Sequence, residues 1–474
     1  MNFVQAEFFV FLAIFLPFCF LFKGRLRLAW LLLFSYVFYA WFSISYCALL
    51  IASTLVDYFI SLGLGREGSP GRRKALALVS LFLNLGMLAF FKYSVFLHDD
   101  VALPLLGLLG IGVERFGFGE LPPMGISFFT FQTMSYTLDV YRGTLKPSKD
   151  LLRFSSYVSM FPQLVAGPIV RASHLLPQLE TWILPRLPAF GEGALRFARG
   201  FLKKACLADS LGRILVEPAF NAPQSQCPEF LLLGVVAYSF QIYFDFSGYS
   251  DMAIGLGRML GFDFPENFDH PYLSKSPSEF WRRWHISLSS WLRDYLYIPL
   301  GGSRLGTGRT AVNLMLTMVL GGLWHGASFM FVLWGGLHGT WLILQRFWEW
   351  ALPQRITARI PSALKILVCF WLVSLSWIPF RCADAQTLWT FCGRLLLIDW
   401  AGLAGYLLSL GWEVKLLLLL SIASHCYRRP LLLINRFLSS FPELRAIALA
   451  SLIFWILHYF PESQELQPFI YFQF

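Results

Sequence analysis

Residues 312–341 read VNLMLTMVLGGLWHGASFMFVLWGGLHGTW, thirty positions without an Asp, Glu, Lys or Arg. A bilayer core about 30 Å thick needs roughly 20 apolar residues in helical form. The run therefore reads as one apolar segment, 311–323, joined to a second, 326–345. His325 falls at the junction, flanked by Gly321, Gly322 and Gly326. An ionisable group in lipid is expensive, and it marks a functional site by default. The glycines remove side chains, so that another helix or a substrate chain can approach the backbone.

The rest of the chain has the same character. Of 474 residues, 57% are hydrophobic and only 14% charged, where soluble domains carry about 25%. Further candidate spans cover 6–22, 29–45, 46–64, 75–97, 122–141, 229–250, 365–380, 401–425 and 444–460. Some must split or re-enter, giving roughly ten to twelve crossings. The fold class expected is an all-α polytopic transmembrane helical bundle, one membrane domain over 1–474. Within it lie N-terminal spans (1–121), a core (122–345) and C-terminal spans (346–474). The 48 Phe, 17 Trp and 18 Tyr suit the headgroup boundary. The first apolar run has no basic residue before it and no small-residue cleavage site after it, so it reads as an uncleaved span.

Lys and Arg in short loops set the orientation. Lys23, Arg25 and Arg27, then Arg66, Arg72, Arg73 and Lys74, lie two crossings apart, and both groups read as cytoplasmic. The loop at 98–121, with Asp99, Asp100, Glu114 and Glu120, is then external. Arg142, Lys146, Lys149 and Arg153 follow on the inside. Both termini are placed outside. Residues 150–210 are amphipathic and rich in Pro and Arg, and read as helices on or dipping into the cytoplasmic face; 262–310 is similarly half-polar. The formal charge of +10 is scattered over loops, which excludes a nucleic-acid surface. Eight Cys without a C-x-x-C pair read as buried thiols.

Three segments offer chemistry. In 276–302, SPSEFWRRWHISLSSWLRDYLYIPLGG, Ser276, Pro277 and Glu279 open a helix, and Pro299 with Gly301 and Gly302 closes it. Helical spacing puts Trp281, His285, Leu288, Leu292 and Tyr295 on one face, with Arg282, Arg283, Arg293 and Asp294 around it. A basic, Trp-rich helix at the membrane surface explains all of this except His285. In 238–251, YSFQIYFDFSGYSD, Asp245 and Asp251 interrupt an apolar run. Such carboxylates pair with a cation or line a wet cavity; pairing with an Arg and contact with substrate both remain open. The third segment is the opening run, where His338 repeats the setting of His325 and is expected nearer the opposite interface. Missing are H-E-x-x-H, G-x-S-x-G and a P-loop; no metal ligand set is read. The loop GGSRLGTGRT at 301–310 is phosphate-friendly through its backbone, Arg304 and Arg309. What remains is histidine chemistry in a membrane: a base that needs no cofactor.

Five stretches carry a family resemblance: MGISFFTFQTMSYTLDVYRG (124–143), FPQLVAGPIVRASHLLPQL (161–179), YFDFSGYSDMAIGLGRMLGFDFPENF (243–268), FWRRWHISLSSWLRDYLYIPLGGSR (280–304) and GGLWHG (321–326). The sequence resembles the membrane-bound O-acyltransferase family, in particular the bacterial branch that includes the membrane subunit of alginate O-acetylation. The resemblance implies amphipathic and re-entrant helices around a thin centre, His325 as the family's intramembrane histidine and His285 as its second. It also implies acetyl-CoA or an acyl-carrier thioester as cytoplasmic donor, in the bacterial inner membrane. The acceptor would be an extracytoplasmic polysaccharide, reached through a hydrolase-like partner enzyme.

On this reading His325 is the general base and His285 positions a partner or the oxyanion. Trp324, Asp245, Asp251, Arg282, Arg293 and Arg304 then serve substrate, the arginines at the donor's polar head. Alternatives are D-alanyl transfer from a carrier protein to teichoic acid, a proton-coupled transporter, and a structural anchor for a polymer complex.

Overall fold

The computed structural model describes residues 1–66, 68–109, 123–426 and 469–470. Among them the elements are all helical, as an all-α membrane protein requires: in lipid a helix satisfies its own backbone polar groups. The chain forms two compact units. One comprises Met1–Phe197 and Ser250–Pro265, the other Ala198–Tyr249 and Glu266–Phe474.

The first unit is built from α1 (Ala6–Leu21), α2 (Gly24–Ala40), α3 (Ile44–Arg66), α4 (Pro70–Leu88), α5 (Ile126–Arg142), α6 (Leu151–Ser159), α7 (Ala172–Glu180) and most of α8 (Leu187–Leu202). Local signals set the ends. Gly143 closes α5 in the left-handed region at φ 76°, and Asp150 opens α6 by accepting from the Arg153 N–H. Phenylalanine is a core residue here as much as a boundary one: Phe8, Phe15, Phe38 and Phe161 are fully buried, with Phe11 and Phe15 each about one ring away from Phe161 (5.2 and 5.3 Å). The expectation that 150–210 lies on a face is corrected in part. Residues 154–170 are buried throughout, because their apolar and small polar side chains pack inside this unit.

A polar cluster ties α3, α4 and α5 together. The Asp57 carboxylate accepts from Ser80 Oγ, from Asn84 Nδ2 at 3.1 and 2.9 Å, and from Thr137 Oγ1 at 3.3 Å. Thr133 Oγ1 donates to Asn84 Oδ1 at 3.1 Å. All five side chains are buried, so each hydrogen bond replaces water that the site excludes.

The second unit holds α9 (Pro228–Leu260), whose last residues return to the first unit, then α10 (Pro277–Arg283), α11 (Ile286–Leu292), α12 (Thr307–His325), α13 (Phe329–Ala351), α14 (Ser362–Arg381), α15 (Ala385–Leu395), α16 (Leu403–Ser409) and α17 (Trp412–Cys426). Helices α12 and α13 form a tight hairpin along small residues. A Cβ on Gly322 would lie 2.2 Å from the Phe331 carbonyl oxygen, and one on Gly335 2.4 Å from that of Met318. The glycines around His325 therefore serve helix-to-helix approach.

Among the described residues, four helical stretches are long and apolar enough alone to cross a membrane: α3, α4 with its extension to Tyr93, α9 and α14. The pair α16–α17, bent by 105°, would make a fifth. Helices α1, α2 and α5, of 16–17 residues, reach only about 24–26 Å at 1.5 Å per residue. Helices α12 and α13 are long enough, but their Gly, Trp, His and Thr dilute the apolar character. The candidate span 444–460, Glu114, Glu120, Glu462 and Glu465 lie outside the described residues.

The single helix read over 276–298 is also corrected. It breaks at Trp284–His285, and His285 adopts φ 42°, a left-handed conformation rare for a non-glycine residue. The start is as read: Ser276 Oγ accepts from the Glu279 N–H, although the Glu279 carboxylate reaches back to the Lys275 N–H rather than to Ser276. Of the cysteines, Cys19, Cys47, Cys369 and Cys382 are buried, whereas Cys227 and Cys426 are exposed.

Replacing Asp57 by Ala removes the acceptor of the buried Ser80 hydroxyl and one of the acceptors of the Asn84 amide, which keeps the Ser80 carbonyl; each loss costs roughly 1–3 kcal/mol. Thermal unfolding in detergent should show Asp57→Ala clearly destabilised and Asp57→Asn, which keeps an acceptor oxygen, less so. Equal stability of Asp57→Ala and wild type would contradict the role given to this cluster.

Candidate active site

The site grows from the break at His285 and the end of α12, both in the second unit. His325 is the last residue of α12, 3% exposed. Its imidazole is packed by Trp324 and Trp334, each with ring centroids 5.0 Å away, and by Phe380 at 5.5 Å. His285 is fully buried. Its ring stands perpendicular to Phe246 of α9 at 4.6 Å and lies 6.0 Å from Trp324. The indole of Trp324 is thus a shared neighbour of the two histidines, which sequence spacing alone left unrelated.

Hydrogen bonds define the state of His285. Asn267 Oδ1 accepts from the Ser287 backbone N–H at 3.2 Å and from Ser287 Oγ at 2.9 Å, and it lies 3.1 Å from His285 Nδ1. A backbone N–H can only donate, so the atom it meets is the amide oxygen. Nδ1 must then carry the imidazole proton, and Nε2 the lone pair. Burial pushes the His285 pKa down to about 3, because a charged ring would lose its hydration. A neutral ring in this tautomer presents Nε2 as a hydrogen-bond acceptor.

Beyond the histidines lies an aromatic wall. Trp334 stacks on Trp377 at 5.5 Å, Trp284 lies 5.1 Å from Trp377, and His338 lies 4.8 Å from Trp334 and 5.1 Å from Trp281. The indole N–H groups of Trp281, Trp284 and Trp334, and Nε2 of His338, are buried without a protein partner. Buried polar groups are normally satisfied, so the indoles of this wall can donate hydrogen bonds to a guest molecule or internal water. His338 is 1% exposed.

The two carboxylates have ion-pair partners. Asp251 faces Arg196 at 3.0 Å in the first unit, as the pairing alternative anticipated. Asp245 meets Lys204 rather than an Arg, at 2.6 Å, and Lys204 also meets Asp209 at 2.8 Å; all three side chains are at most 4% exposed. The second oxygen of Asp245 accepts from the Ile470 N–H at 2.8 Å. Of the arginines assigned to the donor, Arg282 and Arg304 are exposed, and Arg293 is bound to Asp294 at 2.7 Å. The 301–310 loop is anchored by Asn313 Nδ2 on the Gly302 carbonyl at 3.0 Å and by Arg346 on Ser303 Oγ at 3.1 Å. Among the described residues, no three His, Cys, Asp or Glu side chains gather as a metal site.

Sequence reasoning missed Asn267, Trp334, Trp377, Phe380 and Lys204. Asn267 stood inside a quoted motif, the PENF at 265–268, but nothing local distinguishes it from a loop Asn.

Comparison with known proteins places the chain in a family. The model of the MBOAT, membrane-bound O-acyltransferase family matches residues 145–383. A probable alginate O-acetylase AlgI of Pseudomonas aeruginosa is 44% identical over 383 residues, 80% of this chain and 72% of that one. A peptidoglycan O-acetyltransferase of Helicobacter pylori is 34% identical, covering 76% and 71%. A teichoic acid D-alanyltransferase of Streptococcus thermophilus is 32% identical, covering 54% and 65%. The chain belongs to the membrane-bound O-acyltransferase family: it is a multi-pass membrane protein and an O-acyltransferase.

Removing Lys204 would leave Asp209 and Asp245 buried without their cation. Breaking one side of a buried pair costs about 3–5 kcal/mol, so Lys204→Met should lower the unfolding temperature in detergent or abolish expression. A Lys204→Met protein as stable as wild type would contradict the structural role of this triad.

Proposed function

We propose that the protein moves an acetyl group from a cytoplasmic thioester, acetyl-CoA or an acyl-carrier protein, toward an extracytoplasmic polysaccharide, working from the bacterial inner membrane. The acceptor hydroxyl belongs to the polymer or to a hydrolase-like partner enzyme that completes the transfer. The observation that carries this reading is the pair of buried imidazoles that share Trp324 as a neighbour, beside a wall of indole N–H groups without protein partners. A thioester arm rich in carbonyl acceptors is the kind of guest such donors satisfy.

The chemistry needs one base. His325 takes the proton of the acceptor hydroxyl as its oxygen attacks the thioester carbonyl carbon. The tetrahedral adduct collapses, the C–S bond breaks, and the thiolate leaves with the proton returned by His325. Exclusion of water by Trp324, Trp334 and Phe380 limits loss of the acyl group to hydrolysis. Exposed Arg282, Arg293 and Arg304 suit the anionic head of the donor at the cytoplasmic side. Acetyl is favoured over D-alanyl because the acetylases are more similar and are matched over more of the chain.

Purified protein in proteoliposomes, given radiolabelled acetyl-CoA, tests this. Wild type should turn over the donor, and His325→Ala should lose about 10²–10⁴-fold while its size-exclusion profile and unfolding temperature stay unchanged. Full activity in a folded His325→Ala would overturn the assignment of the base.

A further inference from the structure

The break between α10 and α11 is held from outside by the loop that carries Asn267. The Asn267 carbonyl accepts from the Ile286 N–H at 2.9 Å, and its side-chain oxygen takes the Ser287 N–H, the Ser287 hydroxyl and His285 Nδ1. Asp269, two residues on, donates its N–H to the Arg283 carbonyl at 2.9 Å. The loop carrying Asn267 thus brackets both sides of His285, which keeps its left-handed φ of 42°. A bulky residue stays in that region only where its surroundings over-determine it, and such positions cluster at functional sites.

A helix-capping role would account for the contacts to Ile286 and Ser287. It would not require the same oxygen to meet His285 Nδ1. We propose that Asn267 is a positioning residue that locks His285 in the Nδ1–H tautomer, so that Nε2 presents its lone pair to the O–H or S–H group entering or leaving the site. The shared chemistry is a hydrogen-bond donor on oxygen or sulfur, either the acceptor's alcohol or the donor's thiol. An amide oxygen suits this task because it fixes the tautomer without adding charge, and His285 stays neutral. A carboxylate would fix the same tautomer but favour the imidazolium. The proposal rests on the reading that His285 takes part in transfer.

Two measurements on the full-length protein test it. Solid-state NMR of histidine-labelled protein in lipid, with His285 assigned by comparison with His285→Gln, reads the tautomer without any need for turnover. Wild type should show His285 as Nδ1–H. Asn267→Leu, near in volume and lacking an acceptor, should shift it to Nε2–H, and Asn267→Asp should restore Nδ1–H. An Nε2–H ring in wild type, or the same tautomer in Asn267→Leu, would overturn the proposal.

Thiol release from acetyl-CoA then reads the consequence. Asn267→Leu should lose up to about 10⁴-fold in turnover, as expected when a catalytic histidine loses the group that fixes its tautomer. Asn267→Asp should recover much of the rate, with the acid limb of its pH profile moved upward. Weakened inhibition by free CoA in Asn267→Leu would assign the thiol as the group on Nε2; unchanged inhibition with a lower rate would assign the alcohol. If His285→Ala itself keeps wild-type turnover, the reading of His285 fails. If His285→Ala is inactive and Asn267→Leu is not, only the assignment of Asn267 fails.

Discussion

A polar group removed from water must find its partner inside the protein, and this constraint organises the molecule. It makes the chain helical, because helices are how backbone N–H and C=O groups satisfy one another in an apolar setting. It also dictates where the helices stop. The α10–α11 path breaks at His285, and the groups freed there are taken up by Asn267 and the loop around it. The same rule shapes the first unit, where Asp57 gathers hydroxyl and amide donors from α4 and α5, and the second, where Lys204 is set between Asp209 and Asp245.

Against that background the exceptions are informative. Trp281, Trp284 and Trp334 hold buried indole N–H groups without protein partners; Trp281 and Trp334 flank His338, and Trp334 packs on His325. Three such donors gathered in one aromatic cluster leave room for hydrogen bonds to something other than the chain itself. A bundle that serves only as an anchor has no use for such a wall. A site that receives a carbonyl-bearing arm does, and the family to which the chain belongs supplies the reaction class.

Much of this was legible in the sequence, and the reasons for the rest are physical. His325 stood out because a titratable residue in a long uncharged run has few innocent explanations, and the glycines beside it correctly announced close helix packing. The break at His285 was hidden because Trp281, His285, Leu288 and Leu292 fit helical spacing equally well; periodicity does not register one residue turned into the left-handed region. Asn267 and Lys204 act through contacts formed 18 and 41 residues away along the chain, which no local pattern encodes. Short helices and Gly-, Trp- and His-rich ones depart from the length and apolarity that a bilayer-spanning helix is expected to have, so apolar runs and long helices do not map onto one another one to one.

The central claim is that acyl transfer takes place between His285 and His325, beside Trp324. A structure determined by electron cryomicroscopy with a non-transferable thioether analogue of acetyl-CoA addresses it most directly. The account predicts the analogue's carbonyl carbon next to Trp324, with space for an attacking oxygen about 3–3.5 Å from it and within hydrogen-bond reach of His325. An analogue bound with its acyl end away from both imidazoles, with the Trp281–Trp334 wall unoccupied, would contradict it.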